Sequence, residues 1–241
     1  MKIQVSPVAF NEYVKLNNVI ERFLKTGLNG NVDYVIIDDA STDGTTEMMA
    51  GYRSAGVLSI KHPIRMGVGA AIRTAIRHAQ KNHCDILVIM AGNDKDNPEE
   101  IPFLLDAIKE GCDLVQGSRY LGHDGTGGDM PLYRKFATRL HPWIMSMVTG
   151  KKVTDSTNGF RAFRLSMLND PRINLDQQWL NTYELEPYLL YKALTLGFKV
   201  KEVPVTKIYP TRKLGYTKMR PITGWWSILK PLFYLRLGIR K

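Results

Sequence analysis

Two adjacent acids, Asp38 and Asp39, end a short β-branched run and are the residues best suited to bind a ligand. The polar residues 41–44 (STDG) that follow can form a turn and cap the next helix. Neighbouring carboxylates repel each other unless something binds them, and an acid at a strand end can accept hydrogen bonds from a base or a ribose. One Asp would suffice as a cap, so the pair favours a binding role over the alternative that both acids only cap the turn.

A second polar stretch follows another apolar run. Residues 88–102, VIMAGNDKDNPEEIP, pass from a buried-strand pattern into a polar loop and then into a helix. Asn97 can cap this helix, Pro98 suits its first position, and Glu100 completes a capping-box arrangement. The loop between strand and helix places acids on both sides of Lys95, which makes it the second candidate for chemistry.

The elements that must position these two stretches alternate between strand and helix. This alternation predicts an α/β fold with a mostly parallel central sheet covered by helices on both faces. Ligands of such sheets bind at the carboxyl ends of the strands, where both polar stretches lie. The predicted strands are 3–6, 34–37, 57–60, 86–90 and 114–115, and the predicted helices lie near 12–26, 45–54, 68–81, 98–110, 132–148 and 181–196.

The bulk composition is that of a globular protein. With 241 residues, 44% of them hydrophobic and 23% charged, the chain suits one α/β domain with a sizeable core. Cys84 and Cys112 lack metal-type spacing, which favours buried thiols in a cytosolic protein over a disulfide framework. The N-terminus shows no signal-peptide pattern. We therefore expect one domain, residues 1–221, followed by a C-terminal segment, residues 222–241.

The C-terminal part of the chain is both basic and apolar. Residues 199–241 hold eleven Lys or Arg and one acid, whereas the preceding residues are neutral overall, so this part accounts for the net charge of +10. A basic end favours a polyanionic partner, namely nucleic acid, anionic lipid or a phosphorylated substrate, with a merely solvated basic face as the alternative. Residues 222–239 mix Trp225 and Trp226 with aliphatic and basic side chains, which predicts an interfacial membrane segment. A core-packing helix, kinked or broken at Pro231, is the alternative.

Several arginines are candidates for binding phosphate, because the planar guanidinium can hold a phosphate through two hydrogen bonds. Arg212 and Lys218 flank a glycine in a predicted loop, where flexible cations can close on a phosphate. Arg161 and Arg164 are three residues apart and are expected to share a helix face. Any one of these side chains alone is better explained as an ordinary surface cation, and it is their grouping with glycine turns that favours phosphate binding. No Ser-His-Asp or Cys-His constellation is legible in the sequence.

The stretch VIIDDASTDGT (35–45) resembles the DD-x-S-x-DGT signature of the family 2 glycosyltransferases, which have the GT-A fold. FNE (10–12) and RMGVGAAIRTAIRHA (65–79) are similar to further family motifs in the same order. The resemblance covers nearly the whole chain and implies a GT-A nucleotide-diphospho-sugar transferase fold. Four later stretches resemble the polyprenyl-phosphate branch, which includes the dolichyl-phosphate mannose synthases: GSRY (117–120), DSTNGFRAFR (155–164), KEVPV (201–205) and RKLGYTK (212–218).

The resemblance also implies roles for individual residues. It places a nucleotide-sugar donor at the strand ends, beside Pro7, Phe10, Glu12, Ile37, Asp38, Asp39 and Gly92. It directs cations toward the phosphates of the donor or the acceptor, namely Arg119, Arg134, Arg212 and Lys218. Asp155 and the turn at Gly159 and Phe160 would shape the acceptor side.

The family's metal positions fall on Ala91, Asn93 and Lys95, so the Asp-x-Asp pair of the family is absent here. Three arrangements can be considered: Asn93 with Asp94 or Asp96 still holds Mg²⁺ or Mn²⁺, Lys95 contacts the diphosphate in place of a metal, or the site is inactive. Pairing of both acids with Lys95 is the purely structural alternative. We expect a functional site with weak, shifted binding of a divalent cation through Asn93 and Asp94 or Asp96, with Lys95 assisting the leaving group.

The residues and the resemblance together predict an inverting glycosyltransferase that moves a hexose from a nucleotide sugar to a polyprenyl (dolichyl or undecaprenyl) phosphate. A lipid phosphate is already an anionic nucleophile, so positioning and preorganised charge can supply most of the catalysis. We expect a cytoplasmic protein attached peripherally to a membrane surface, and no nucleic-acid partner, because no recognised module accompanies the charge. Two alternatives stay open: a glycan or other non-lipid acceptor, and an inactive nucleotide-sugar-binding subunit.

Overall fold

The computed structural model describes residues 1–122, 125–209 and 221–240. The strands are β1 (Ile3–Ala9), β2 (Asp33–Asp38), β3 (Val57–Lys61), β4 (Ile86–Ala91), β5 (Leu114–Ser118), β6 (Thr126–Gly128), β7 (Arg161–Arg164), β8 (Val200–Pro204) and β9 (Lys207–Tyr209). Seven of them form one sheet in the order β3-β2-β1-β4-β7-β5-β8, in which only β7 runs antiparallel to its neighbours. The short strands β6 and β9 pair separately and parallel to each other.

Helices cover both faces of the large sheet. They are α1 (Tyr13–Lys25), α2 (Thr45–Ala50), α3 (Val68–Lys81), α4 (Ile101–Lys109), α5 (Leu132–Thr149), α6 (Leu185–Thr195) and α7 (Pro221–Arg236). Alternate residues of each strand enter different apolar clusters, because successive side chains of a strand point to opposite faces. In β2, Val35 and Ile37 pack with α3 and α6, whereas Tyr34 and Ile36 pack with α1 and α4. The continuous apolar runs of the sequence therefore reflect burial on both faces.

The predicted α/β fold with a mostly parallel sheet is confirmed, but β7 was not anticipated. The expectation that Arg161 and Arg164 share a helix face is wrong, since both lie in this strand. Residues three apart in a strand point to opposite faces. Arg161 is buried and donates to the carbonyl oxygens of Asn158 and Glu186, at 2.8 Å each. The Arg164 guanidinium donates to backbone carbonyls at the end of α4, so neither side chain is a mobile surface cation.

The predicted capping box before α4 is also wrong. Pro98 starts a short 3-10 turn, and neither this turn nor α4 has a side-chain hydrogen bond at its N-terminus. The Glu100 carboxylate instead accepts hydrogen bonds from the backbone N–H (3.0 Å) and the hydroxyl (2.7 Å) of Thr206. Asn97 also contacts that hydroxyl. These residues therefore tie the loop after β4 to the segment between β8 and β9.

Helix α7 packs on α5 and α6 and is continuous through Pro231. Its Ile228 and Leu232 side chains are buried, whereas Phe233 is exposed. Burial lowers the pKa of His141 on α5 to about 4, so its ring is neutral. Its Nε2–H donates to the Ile228 carbonyl (3.1 Å) and joins the two helices. Among the described residues, no helix combines the length and the apolar character that a membrane crossing requires.

Candidate functional site

A cavity of about 580 Å³ opens at the carboxyl ends of β1, β2 and β4. Parallel α/β sheets bind ligands at this edge. One wall comes from the ends of β1 and β2 and the starts of α1 and α3, and it includes Phe10, Asn11, Glu12, Asp39, Arg65 and Gly67. The opposite wall comes from α5, the turn before β7, the start of α6 and β9, and it includes Arg134, Thr157, Gly159, Tyr183, Glu186 and Lys207. Between the walls lie Ala91, Asn93 and Lys95.

The two adjacent acids at the end of β2 each have several hydrogen-bond donors. Asp38 is fully buried and accepts hydrogen bonds from the Ser41 backbone N–H and a threonine hydroxyl of α2, so it caps the turn and does not line the cavity. Asp39 does line it, and its carboxylate accepts hydrogen bonds from the backbone N–H groups of Met66 (2.7 Å) and Gly67 (2.8 Å). Asp39 therefore fixes the turn that leads into α3.

Some of the residues predicted to bind the nucleotide line this cavity, and others do not. Phe10 lies on the cavity with the Arg65 guanidinium stacked 4.1 Å from its ring centroid, an arrangement that can accommodate a flat base. Glu12 also lines the cavity and forms an ion pair with a lysine of α1. Besides Asp38, three predicted residues do not line it: Pro7 and Ile37 lie within strands, and Gly92 packs so closely on β1 that a Cβ there would meet Ala9 Cβ at 3.0 Å.

Arg119 does not line the cavity, in contrast to the prediction that it faces a phosphate. Its side chain is 1% exposed, and its guanidinium donates two hydrogen bonds to the Asp155 carboxylate, at 2.6 and 2.7 Å. Further donors reach the hydroxyl groups of Thr157 and Tyr209. Burial alone would raise the pKa of Asp155, but the Arg119 charge outweighs it and holds that pKa below its usual value. The ion pair is a buried strut behind the cavity wall that contains Thr157.

Two other predicted cations do reach the cavity. The Arg134 guanidinium lies 5.6 Å from the Tyr209 ring centroid, and the Lys95 ammonium lies 5.1 Å from the same centroid. Lys95 is 5% exposed, and burial, followed by the nearby charges of Arg134 and Lys207, lowers its pKa to about 7. Arg212 and Lys218, which were also predicted to contact phosphate, lie outside the described residues.

The structure does not bring Asp94 and Asp96 to a metal position beside Asn93. Asp94 has a positive φ of 57° and forms an ion pair with Arg22 of α1 (3.1 Å), outside the cavity lining. Asp96 is fully buried, accepts a hydrogen bond from the Ala91 N–H (2.8 Å) and forms an ion pair with Lys207 (2.5 Å). Both carboxylates are thus committed to protein partners, which corrects the expectation that one of them serves as a metal ligand.

The side chains at the centre of the cavity do not fit a divalent cation. Mg²⁺ and Mn²⁺ need several oxygen ligands, commonly including carboxylates. Of the family's metal positions, only Asn93 offers a side-chain oxygen, and Lys95 and Arg134 place positive charge beside it. Across the described ranges, no group of three or more His, Cys, Asp or Glu residues is arranged to hold a metal.

Sequence reasoning missed several cavity residues that belong to distant elements. Lys207 is buried and bonds to both Asp96 and the Asn158 side-chain oxygen (2.8 Å), which joins β9 to the loop after β4. Glu186 on α6 faces the cavity; burial raises its pKa, and the Arg161 charge opposes that shift. The excess of basic residues after position 198 was the one signal that pointed to Lys207, and it did not indicate which acid would pair with it.

Known proteins share this sequence pattern. The family model described as glycosyl transferase family 2 matches residues 8–170. The chain is 34% identical to an undecaprenyl-phosphate mannosyltransferase of Micrococcus luteus, over 78% of this chain and 75% of that protein. It is 31% identical to the polyprenol monophosphomannose synthase of Mycolicibacterium smegmatis, over 78% of this chain and 70% of that protein. It is 30% identical to a dolichol-phosphate mannosyltransferase of Pyrococcus furiosus, over 91% of this chain and 60% of that protein.

Solved structures share the fold. Glucosyl-3-phosphoglycerate synthase from Mycobacterium tuberculosis in complex with UDP superposes with a TM-score of 0.68 at 20% identity, over 100% of this chain and 81% of that one. A second structure of the same protein, with Mn²⁺, UDP and glucosyl-3-phosphoglycerate, gives a TM-score of 0.67 at 19% identity, with the same coverage. This likeness confirms the GT-A fold. With the family match spanning most of the chain, it follows that the protein belongs to glycosyltransferase family 2.

Proposed function

We propose that this glycosyltransferase moves a hexose, with mannose the leading candidate, from a nucleoside-diphosphate sugar to a polyprenyl phosphate with inversion at the anomeric carbon. The names of three relatives support the acceptor and the sugar. The two-walled cavity supports a donor and an acceptor that meet at the strand ends. The phosphate oxygen of the acceptor attacks the anomeric carbon, and the leaving group is a nucleoside diphosphate.

Helix α5 supports a lipid acceptor because it combines a cation at the cavity with an exposed apolar stripe. The helix places the Arg134 guanidinium at the cavity while an apolar stripe along it stays exposed. The stripe repeats at intervals of three and four residues, the spacing of one helix face. A polyprenyl phosphate has this combination of groups, because its anionic head suits Arg134 and its isoprenoid tail suits an apolar surface. The exposed residues are Leu132, Phe136, Leu140, Trp143 and Met147, between 37% and 82% exposed.

Catalysis in this arrangement depends on position and charge. An acceptor phosphate is anionic at neutral pH and needs no strong general base, so alignment with the sugar supplies most of the rate. Arg134, on the wall that we assign to the acceptor, is suited to hold that phosphate, and Phe10 with Arg65, on the opposite donor wall, is suited to hold the base. Asp39 keeps the start of α3 in place beneath the donor.

We propose further that α5 and α7 together rest on the cytoplasmic surface of a membrane. Trp226 and Phe233 of α7 are exposed, and α7 packs against α5. Basic residues on both helices, Lys135, Arg139 and Arg236 among them, suit anionic headgroups. This combination of aromatic, aliphatic and basic side chains is typical of helices that lie in a membrane interface.

The decisive experiment is a transfer assay with purified protein. We would incubate undecaprenyl phosphate or dolichyl phosphate with GDP-mannose, UDP-glucose and UDP-galactose, and detect glycosylated lipid by mass spectrometry. Formation of a hexosyl phospholipid with one donor is the expected result. Sugar transfer only to a soluble glycan would replace the lipid acceptor with the first alternative. Donor binding without transfer to any acceptor would favour the inactive binding subunit.

Membrane attachment is tested by flotation with vesicles that contain anionic lipid. Replacing Phe136 and Trp143 with serine should reduce flotation strongly, because both are exposed on the α5 stripe. Phe103→Ser is the matched control, since Phe103 is an equally large exposed side chain on α4. High salt should weaken binding by screening the basic residues. Equal flotation of the double variant and the control would remove α5 from the membrane surface.

A further inference from the structure

The centre of the cavity carries positive charge where the family places a metal. The Lys95 side chain lines the cavity between the donor and acceptor walls, and the charges of Arg134, Lys207 and Lys15 all act on it. Glu12 is the acid that acts on Lys95 in the opposite sense, and it also forms an ion pair with Lys15 at 2.5 Å. An anion bound beside Lys95 would act in the same direction as Glu12 and favour the charged form of the lysine.

The two acids that flank Lys95 in the sequence are bound to other partners. Asp96 is bound to Lys207 and to the Ala91 backbone, and Asp94 is bound to Arg22. A divalent cation at the family's metal positions would therefore have no ligand from Asp94 or Asp96 and would be repelled by the Lys95 ammonium. The diphosphate of a nucleotide sugar, in contrast, is an anion and would be attracted by the Lys95 ammonium.

We propose that Lys95 takes the place of the divalent cation against the donor diphosphate, so that this glycosyltransferase binds and uses its donor without a metal. The inference rests on the proposed function, because it requires a nucleoside-diphosphate sugar in the cavity. A lysine ammonium is a compact charge with three N–H donors. It can therefore bind the oxygens of a diphosphate that no metal ion bridges. The Lys95 ammonium and the Arg134 guanidinium lie near the same aromatic ring, that of Tyr209, so the two cations are close to each other in the cavity.

The group transfer balances without a metal. A bond forms between the acceptor phosphate oxygen and the anomeric carbon, and the bond from that carbon to the donor's terminal phosphate oxygen breaks. The electron pair stays on the leaving nucleoside diphosphate, whose charge increases as the bond breaks. The Lys95 ammonium stabilises this charge by hydrogen bonding and keeps its proton. Low pKa values of buried lysines are usual, and diphosphate binding would restore the charged form of Lys95.

The test measures binding of UDP and GDP by calorimetry, with EDTA and with Mn²⁺, for native protein and for Lys95→Met, Lys95→Arg and the surface control Lys81→Met. We expect the preferred nucleotide to bind native protein with affinities within about twofold in EDTA and in Mn²⁺. Lys95→Met should weaken binding roughly 10- to 100-fold, the size of a lost charge-assisted contact, whereas Lys95→Arg should retain most of it. Thermal unfolding would verify that each variant is folded.

A gain-of-metal variant makes the test sharper. Ala91→Asp with Asn93→Asp and Lys95→Ala restores acids and removes the cation, so its nucleotide binding should become dependent on Mn²⁺. Native binding that requires Mn²⁺, or native affinity in Lys95→Met, would overturn the inference while the proposed function stands. If neither UDP nor GDP binds under any condition, the nucleotide-sugar donor itself is wrong and this inference falls with it.

Discussion

Replacement of Arg119 by methionine tests whether this residue is a buried strut or a phosphate ligand. The side chain is 1% exposed and forms a two-bonded ion pair with Asp155, which is fully buried. Arg119→Met keeps most of the volume and leaves a carboxylate in the interior without its countercharge. Breaking a buried ion pair on one side costs about 3–5 kcal/mol. For a chain of this size the melting temperature should therefore fall by about 10 °C.

The pH dependence of this defect identifies its cause. In native protein the pKa of Asp155 is held low, so its contribution to stability is present above pH 3.8 and is lost only as pH falls through the lower folded value. In Arg119→Met, burial would raise that pKa above 3.8, so the folded variant takes up a proton that the unfolded chain does not hold. The defect should therefore shrink between pH 7.5 and about pH 5.

The assay is chemical denaturation followed by circular dichroism at both pH values. Arg119→Met combined with Asp155→Asn should recover roughly half of the lost stability, because no unpaired charge remains. Arg172→Met, which breaks an exposed ion pair with Asp170, is the control and should leave the melting temperature unchanged. An Arg119→Met protein of native stability that has lost lipid transfer would refute the strut and return Arg119 to the site.

Three further predictions follow from other buried groups. Acidification from pH 6.5 to 4 should lower the free energy of unfolding by up to about 3 kcal/mol, because the pKa of His141 is about 4 in the folded protein against the ordinary 6.5. Denaturation curves of His141→Gln should lack this dependence on pH. Gly69→Ala should cost about 1–3 kcal/mol, because a Cβ there would lie 2.0 Å from the Leu180 carbonyl oxygen, whereas Gly127→Ala meets only an ordinary contact. Nucleoside diphosphate affinity should fall by up to about tenfold per pH unit above pH 7 as Lys95 loses its proton, and calorimetry in two buffers should detect proton uptake on binding.

The parts of the fold that the sequence predicts well are those that depend on local pattern. Strands β2 and β4 are continuous apolar runs because both of their faces are buried, and α3 matches its predicted range of 68–81. Strand β7 was not predicted, because its sequence, RAFR, begins and ends with arginine and does not resemble a buried strand. Arg161 is tolerated in the interior because its guanidinium meets carbonyl oxygens of Asn158 and Glu186, and those partners cannot be identified from local pattern.

The same limit explains the outcome at the candidate site. Motif order places Phe10 and Asp39 around one cavity, because each follows a strand end of the sheet, and the family resemblance adds Arg134 from helix α5. It cannot show that Asp96 pairs with Lys207, since the two residues are 111 positions apart and each looks like an ordinary charged loop residue. The ion pair with Lys207 therefore makes Asp96 unavailable as the expected metal ligand, and nothing in the sequence around Asp96 indicates it.

That pairing has a consequence for how the cavity balances charge. A buried Asp96 needs a cation, and Lys207 supplies it at 2.5 Å, so the two charges cancel near the acceptor wall. The Lys95 ammonium and the Arg134 guanidinium both line the cavity, at 5.1 and 5.6 Å from the Tyr209 ring centroid. Had Asp96 faced the cavity, its carboxylate would have competed with phosphate for these cations. Because Asp96 is bound to Lys207 instead, it does not compete with a diphosphate donor or a lipid phosphate acceptor for Lys95 and Arg134.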